Sequence, residues 1–233
     1  MPPTPTGTEP WPVPPLHLRV VNLDTPGARK FFAHVNDPTA VFKAAVRDVF
    51  VWLYTQQSVP RHVRSVTIIL RSMGGVAHTT GSELDNDHKE IHFSLDYIAG
   101  IPEDRAVSEI KGVLTHEMVH CFQFNGKGTC PGGLIEGIAD YVRLRAGYVP
   151  PHWKQGGDRW DEGYQTTGYF LYYLERHHGE GFVRALNDKL RDSHYEEDIF
   201  KSITGHSVDT LWKRYKQWLE GEQDYVAEEK KEQ

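Results

Sequence analysis

Several features that define common protein classes are scarce in this sequence. Its 233 residues contain only two cysteines, too few for a disulfide scaffold. The formal net charge is −6, so the chain has no basic excess that would favour nucleic acid or anionic lipid. Every apolar run is too short to cross a membrane. We therefore expect neither nucleic acid nor a membrane among its partners.

Signals for secretion are also scarce. The first segment, MPPTPTGTEPWPVPP, lacks the basic and apolar regions of a signal peptide. No Asn-x-Ser/Thr sequon occurs, which disfavours a glycosylated, secreted protein. From the residues alone, either the protein stays inside the cell or the chain shown lacks its leader. The Pro- and Thr-rich residues 1–15 predict a flexible N-terminal arm, and residues 223–233 predict a charged tail.

Residues 16–222 are predicted to form a single α+β domain, which we expect to be monomeric. Asp37 and Pro38 have the character of a helix start. Residues 71–90 are rich in turn formers, whereas the second half of the chain has helical periodicity. The pattern predicts strands at 16–24, 65–70 and 90–95, and later helices at about 103–124, 133–146, 161–178, 180–192 and 207–220. A small sheet followed by a mainly helical half is expected.

The segment HEMVH is the first candidate for chemistry. His116 and His120 are four residues apart, so on a helix they share one face and can bind the same metal ion. Glu117 points beside that face and can take a proton from a zinc-activated water molecule. Two histidines do not complete a catalytic zinc site, which needs a third protein ligand.

A second helix, with the segment EGIAD, offers that ligand. Glu136 and Asp140 again share one helical face. One acid can bind the ion, and the other can accept the free ring N–H of a ligand histidine. We assign Glu136 as the ligand and Asp140 as the supporting acid, with the reverse assignment left open. The segment NGKGTCPGG, residues 125–133, contains four glycines, so the loop at 125–132 can fold one helix onto the other.

Two further features remain open from the residues alone. When a zinc-activated water molecule attacks a carbonyl group, a group besides the metal often stabilises the oxyanion, commonly a tyrosine. Tyr164 follows Gly163 at the start of a predicted helix and is our candidate for this role. Cys121 and Cys130 are close in sequence, so they either form a disulfide or remain free thiols.

The central block resembles the plant basic secretory protein family of zincin-like peptidases from plants, fungi and bacteria. The similarity extends from about residue 17 to 220. The segments that carry it are GVLTHEMVHCFQFNGKG, PGGLIEGIADYVRLRAGYVPPHW, GDRWDEGYQTTGYFLYYLE, MGGVAHTTG and VDTLWKRYKQWL. The resemblance implies a zincin-like fold and metal-dependent peptide hydrolysis, with His116 and His120 as zinc ligands and Glu117 as general base. Plant members are basic and secreted, whereas this chain is acidic. The resemblance suggests an extracellular location, but the localisation remains unknown.

The function expected from these observations is zinc-dependent hydrolysis of peptide or protein substrates. The alternative is a catalytically silent protein that keeps the fold and acts as a binding or defence module. The intact Glu117 argues against that alternative, because a purely structural zinc site needs no base. The resemblance also implies that an extended substrate pairs with a strand beside the metal helix, for which residues 90–95 are the candidate.

Overall fold

The structure is a computed structural model that describes residues 11–229, with side chains up to residue 221. Within this range it is an α+β protein with four strands and nine α-helices. The strands are β1 (Leu16–Val20), β2 (Ser65–Arg71), β3 (Ala77–Gly81) and β4 (His88–Ser94). The helices are α1 (Pro26–His34), α2 (Pro38–Leu53), α3 (Leu95–Gly100), α4 (Ala106–Phe122), α5 (Gly132–Arg145), α6 (Tyr164–His178), α7 (Phe182–Lys189), α8 (Ile199–Thr204) and α9 (Val208–Glu229).

The chain divides into two compact units. As far as the structure describes them, the first contains Met1–Gln123 and Val142–Pro150, and the second contains Phe124–Tyr141 and Pro151–Gln233. A single domain over residues 16–222 stays a prediction. Residues 1–10 of the predicted arm and 230–233 of the predicted tail lie outside the described residues. Among the described helices, none has the length and apolar character needed to span a bilayer.

A four-stranded mixed sheet forms the centre of the first unit. The strand order is β1-β2-β4-β3, and only β3 runs antiparallel to its neighbour. One row of paired residues crosses all four strands, namely Leu18, Ile68, Ile91 and Thr79. Directly paired residues point to the same face of a sheet, so Thr79 shares a face with the buried Ile68 and Ile91. The helices α2 and α4 pack against each other in this unit, and α4 also packs against β3.

The position of the edge strand differs from the prediction. The strand predicted at 90–95 is observed as β4, which lies inside the sheet between β2 and β3. The edge beside α4 is β3, within the segment predicted to consist of turns. This five-residue strand begins with alanine and ends with glycine, and its threonines are its only β-branched residues. The local signal was therefore too weak to show the strand.

The start of α2 has the capping residue and the proline that the sequence predicted. The side chain of Asp37 accepts a hydrogen bond from the Ala40 amide at 3.0 Å, and Pro38 begins α2 as expected. The same combination occurs at Thr25 and Pro26, where Thr25 caps α1. No helix was predicted at this position, and the helix is only nine residues long.

A buried ion-pair network fixes the beginning of α4. Glu109 is 4% exposed, and its Oε2 accepts hydrogen bonds from Arg105 at 2.8 Å and Arg143 at 3.1 Å. The Tyr97 hydroxyl donates to Oε1 at 2.7 Å. Burial alone would raise the pKa of Glu109, but the two guanidinium groups and the tyrosine hydroxyl lower it overall. The carboxylate is therefore kept ionised inside the unit.

Replacing Arg143 by methionine should destabilise the protein strongly. The change removes one cation from a buried carboxylate, which costs about 3 kcal/mol of unfolding free energy. Arg29→Met is the matched control, because its pair with Asp24 has side-chain exposures of 64% and 91%. That control should change stability by less than about 0.5 kcal/mol. Urea denaturation measures both variants, and equal losses would contradict the role of the buried network.

The second unit is built around aromatic side chains from its helices. Phe170 of α6 lies 5.2 Å from Trp212 and 5.6 Å from Tyr215 of α9, measured between ring centroids. Phe200 of α8 extends the cluster at 6.5 Å from Phe170. These separations are typical of packed aromatic pairs. The cluster anchors α6, whose first turn carries the candidate residue Tyr164.

Candidate metal centre

The histidine pair lies on α4 as the sequence predicted. His116 is 8% exposed and Glu117 is 6% exposed, although both are polar. The Nε2 atoms of His116 and His120 are 3.2 Å apart, and the two rings are nearly perpendicular at 83°. The helix therefore brings two imidazole nitrogens to one point.

Gln123 orients the second histidine. Its Oε1 lies 2.7 Å from Nδ1 of His120, and an amide oxygen can only accept a hydrogen bond. In the neutral ring of His120 this contact places the proton on Nδ1, which leaves the lone pair of Nε2 directed at the point shared with His116. Gln123 was not identified from the sequence, although it follows His120 by three residues, which is the spacing of neighbours on a helix.

Glu117 is held by a residue from the edge strand. The Oγ1 atom of Thr79 lies 2.7 Å from Oε2 of Glu117 and 3.0 Å from its backbone oxygen. Thr79 belongs to the segment MGGVAHTTG, which carried part of the family resemblance without any assigned role. Only the fold could show this contact, because the two residues are 38 positions apart in the sequence.

The second unit places Glu136 and Asp140 on α5. Glu136 is half-buried, and Asp140 is 2% exposed. A Cβ atom added to Gly168 of α6 would lie 3.2 Å from Cβ of Asp140, so the two helices approach closely at this acid. The roles of Glu136 as ligand and Asp140 as supporting acid remain predictions.

Glycines allow α5 to lie against α6 and the turn before it. A Cβ atom on Gly133 would lie 1.8 Å from the backbone oxygen of Asp161. One on Gly137 would lie 2.2 Å from Cγ2 of Thr167. Such distances leave no room for a side chain. Within the second unit, the position of Glu136 therefore depends on the glycines on either side of it.

Tyr164 begins α6 as predicted, but with an unusual backbone. Its φ is +45°, and that of the preceding Gly163 is +92°. A non-glycine residue in the left-handed region costs about 1 kcal/mol, and such residues are frequent at functional sites. The Tyr164 side chain is 55% exposed, and a Cβ on Gly163 would lie 3.6 Å from Cβ of Glu136. The helix start that carries Tyr164 therefore lies beside Glu136, while its catalytic role stays a prediction.

The loop before α5 turns tightly, as its glycines predict. Gly126, Lys127 and Gly128 all have positive φ, at +60°, +55° and +81°. Two of these three positions are glycines, which adopt this conformation without strain. Backbone bonds hold the loop in the second unit, since the Gly126 amide donates to the oxygen of Leu190 at 3.0 Å.

Both cysteines are free thiols. Burial raises the pKa of the Cys121 thiol far above its usual range, with a smaller opposing effect of Lys89. Burial also raises the pKa of Cys130 to about 12. Neither thiol has the lowered pKa of a reactive nucleophile.

Comparison with known proteins defines the class to which this chain belongs. The model of the family described as peptidase of plants and bacteria matches residues 13–215. The chain belongs to this family, which is the basic secretory protein family that its central segments resemble. No curated protein and no solved structure matches the chain.

Substituting alanine at Gly133 should test the close packing of α5. Its Cβ atom would meet backbone atoms, which cannot move aside, so we expect a loss of about 1–3 kcal/mol in unfolding free energy. Gly132→Ala is the matched control, because nothing lies within 4 Å of its added Cβ. Urea denaturation should show the control to be neutral or slightly more stable. A neutral Gly133→Ala variant would contradict the packing.

Proposed function

We propose that the protein is a zinc-dependent metallopeptidase with a zincin-like fold. The observation that carries the proposal is the 3.2 Å separation of the Nε2 atoms of His116 and His120. Two nitrogen ligands of one tetrahedral zinc ion, each at about 2.0–2.1 Å, are about 3.3 Å apart. The histidine pair therefore fits such an ion, and membership of a peptidase family supports the same chemistry.

Glu136 is proposed as the third ligand. Among the described residues, His116, His120 and Glu136 are a group that could hold a metal ion. Two histidines and one glutamate are a donor set of catalytic zinc sites, which keep a fourth position for water or substrate. Asp140, one turn after Glu136 on α5, is proposed to accept the N–H of a ligand histidine.

In the proposed mechanism, each step of peptide hydrolysis is assigned to a particular side chain. When bound, zinc supplies Lewis acidity, which lowers the pKa of water and polarises a carbonyl group. Glu117 takes the proton of the water molecule that attacks the carbonyl carbon of the peptide bond. It returns this proton to the leaving amine nitrogen as the carbon–nitrogen bond breaks. Tyr164 is proposed to donate a hydrogen bond to the carbonyl oxygen as negative charge develops on it.

The proposed substrate is an extended peptide or protein segment. The strand β3 pairs with β4 along one side and forms the edge of the sheet beside α4. An extended chain can add to such an edge by backbone hydrogen bonds, without any particular side chain. The edge strand is β3 rather than residues 90–95, so we assign the substrate-pairing role to β3.

Glu117→Gln should strongly reduce cleavage without removing zinc. The amide cannot take a proton, so kcat should fall at least about a hundredfold. Glu117 is not a proposed ligand, so the zinc content should stay equal to that of the parent. A digest of a peptide library, with zinc measured by atomic absorption, tests both points. Glu83→Gln, at an exposed position, is the control and should retain full activity.

Three outcomes separate the possible functions. Cleavage by the parent that a chelator stops and zinc restores supports the proposal. Bound zinc in the parent without cleavage of any peptide would favour the catalytically silent alternative. Parental activity in Glu117→Gln would show that the assigned mechanism is wrong.

The assignment of the third ligand predicts a difference between two conservative variants. Glu136→Gln should weaken zinc binding by more than about a hundredfold, because a direct ligand is lost. Asp140→Asn should weaken it by only about 10- to 100-fold, as is usual for a residue that supports a ligand. Competition with a chromogenic chelator measures both affinities. A larger loss in Asp140→Asn would mean that the two acids have the reverse roles.

A further inference from the structure

The chemistry of the two side chains determines which of them donates the hydrogen bond between Thr79 and Glu117. A threonine hydroxyl carries one proton, while both nearby oxygens of Glu117 are acceptors. The carboxylate oxygen is the nearer one, at 2.7 Å against 3.0 Å for the backbone oxygen. A charged acceptor also forms the stronger hydrogen bond. The hydroxyl of Thr79 therefore donates to Oε2 of Glu117.

The donor of this hydrogen bond, Thr79, lies on β3 and not on α4, the helix that carries Glu117. Thr79 pairs with Ile91 in the sheet and shares the face of the buried Ile68, from which β3 packs against α4. Its neighbour Thr80 is exposed, as the alternation of side chains along a strand requires. A glutamate side chain on a helix rotates about three bonds, and a hydrogen bond from another element restricts that rotation.

We infer that Thr79 is a positioning residue for Glu117. Its hydrogen bond fixes Oε2, so that Oε1 is the oxygen available for proton transfer. This inference rests on the proposed role of Glu117 as general base. The orientation of the base then depends on the backbone of the edge strand β3 and not on α4 alone. In this proposal, the strand β3 both pairs with the substrate and, through Thr79, orients Glu117 for proton transfer.

Thr79→Val is the direct test, because valine keeps the shape of threonine and removes the hydroxyl. In the zinc-loaded protein, kcat should fall about 10- to 100-fold with KM nearly unchanged, since only the orientation of the base is altered. Thr79→Ser keeps the hydroxyl and should restore most of the activity. Thr67→Val is the matched control, because Thr67 lies on the inner strand β2 and faces the other side of the sheet, and it should behave like the parent.

A crystal structure of each variant gives a readout that does not depend on activity. In Thr79→Val the Glu117 side chain should occupy more than one conformer, whereas Thr79→Ser should keep a single one. Zinc affinity should be the same in all three threonine variants, because Thr79 contacts no proposed ligand atom. If Thr79→Val fails to fold, Thr79→Ala removes the hydroxyl with less bulk and replaces it in every measurement.

A double variant that combines Thr79→Val with Glu117→Gln distinguishes a positioning role of Thr79 from a purely structural one. If Thr79 acts through the carboxylate, adding Thr79→Val to Glu117→Gln should cause no further loss of residual activity. An equal loss in both backgrounds, or an unchanged kcat with one Glu117 conformer, would overturn the inference. If the parent itself binds zinc but cleaves nothing, the proposed function fails, and the crystallographic comparison still decides whether Thr79 holds Glu117.

Discussion

A helix inside a protein must satisfy every polar group that it carries away from water, and this constraint governs the first unit. The helix α4 buries Glu109, Thr115, His116 and Glu117 among its apolar residues. An ionised or hydrogen-bonding group left without a partner there would cost several kcal/mol, on the order of the stability of a whole domain. Each group is instead met by a specific neighbour. Arg105, Arg143 and Tyr97 contact Glu109, and Thr79 contacts Glu117.

The satisfied polar groups also give α4 two distinct ends. Near its beginning, the network around Glu109 holds the helix against α3 and the last turn of α5. Near its end, the histidine nitrogens converge and Gln123 directs one of them. Gly112 lies between these ends, where an added Cβ would be 2.7 Å from Nε of Arg143. Rigid support at one end and convergent histidine nitrogens at the other suit the proposed metal site, which must keep its geometry.

Parts of the fold and of the candidate site could be predicted from local sequence patterns. The helical spacing of His116 and His120, the capping by Asp37 and the helix containing Glu136 all depend on residues a few positions apart. The edge strand β3 and the role of Thr79 could not be predicted in the same way. The pairing of β3 with β4 and its contact with α4 are interactions between distant segments, and the strand itself has little local β character. The state of Cys121 and Cys130 likewise depends on where the fold puts them, which spacing alone does not determine.

The order of elements along the chain has a consequence for synthesis. All four strands end before α4 begins, because β4 ends at Ser94 and α4 starts at Ala106. Chains leave the ribosome amino terminus first, at about 5–20 residues per second. The residues of all four described strands, including Thr79, are therefore synthesised before Glu117. The helix α4, which carries the proposed general base Glu117, can then pack against a strand whose residues have all emerged.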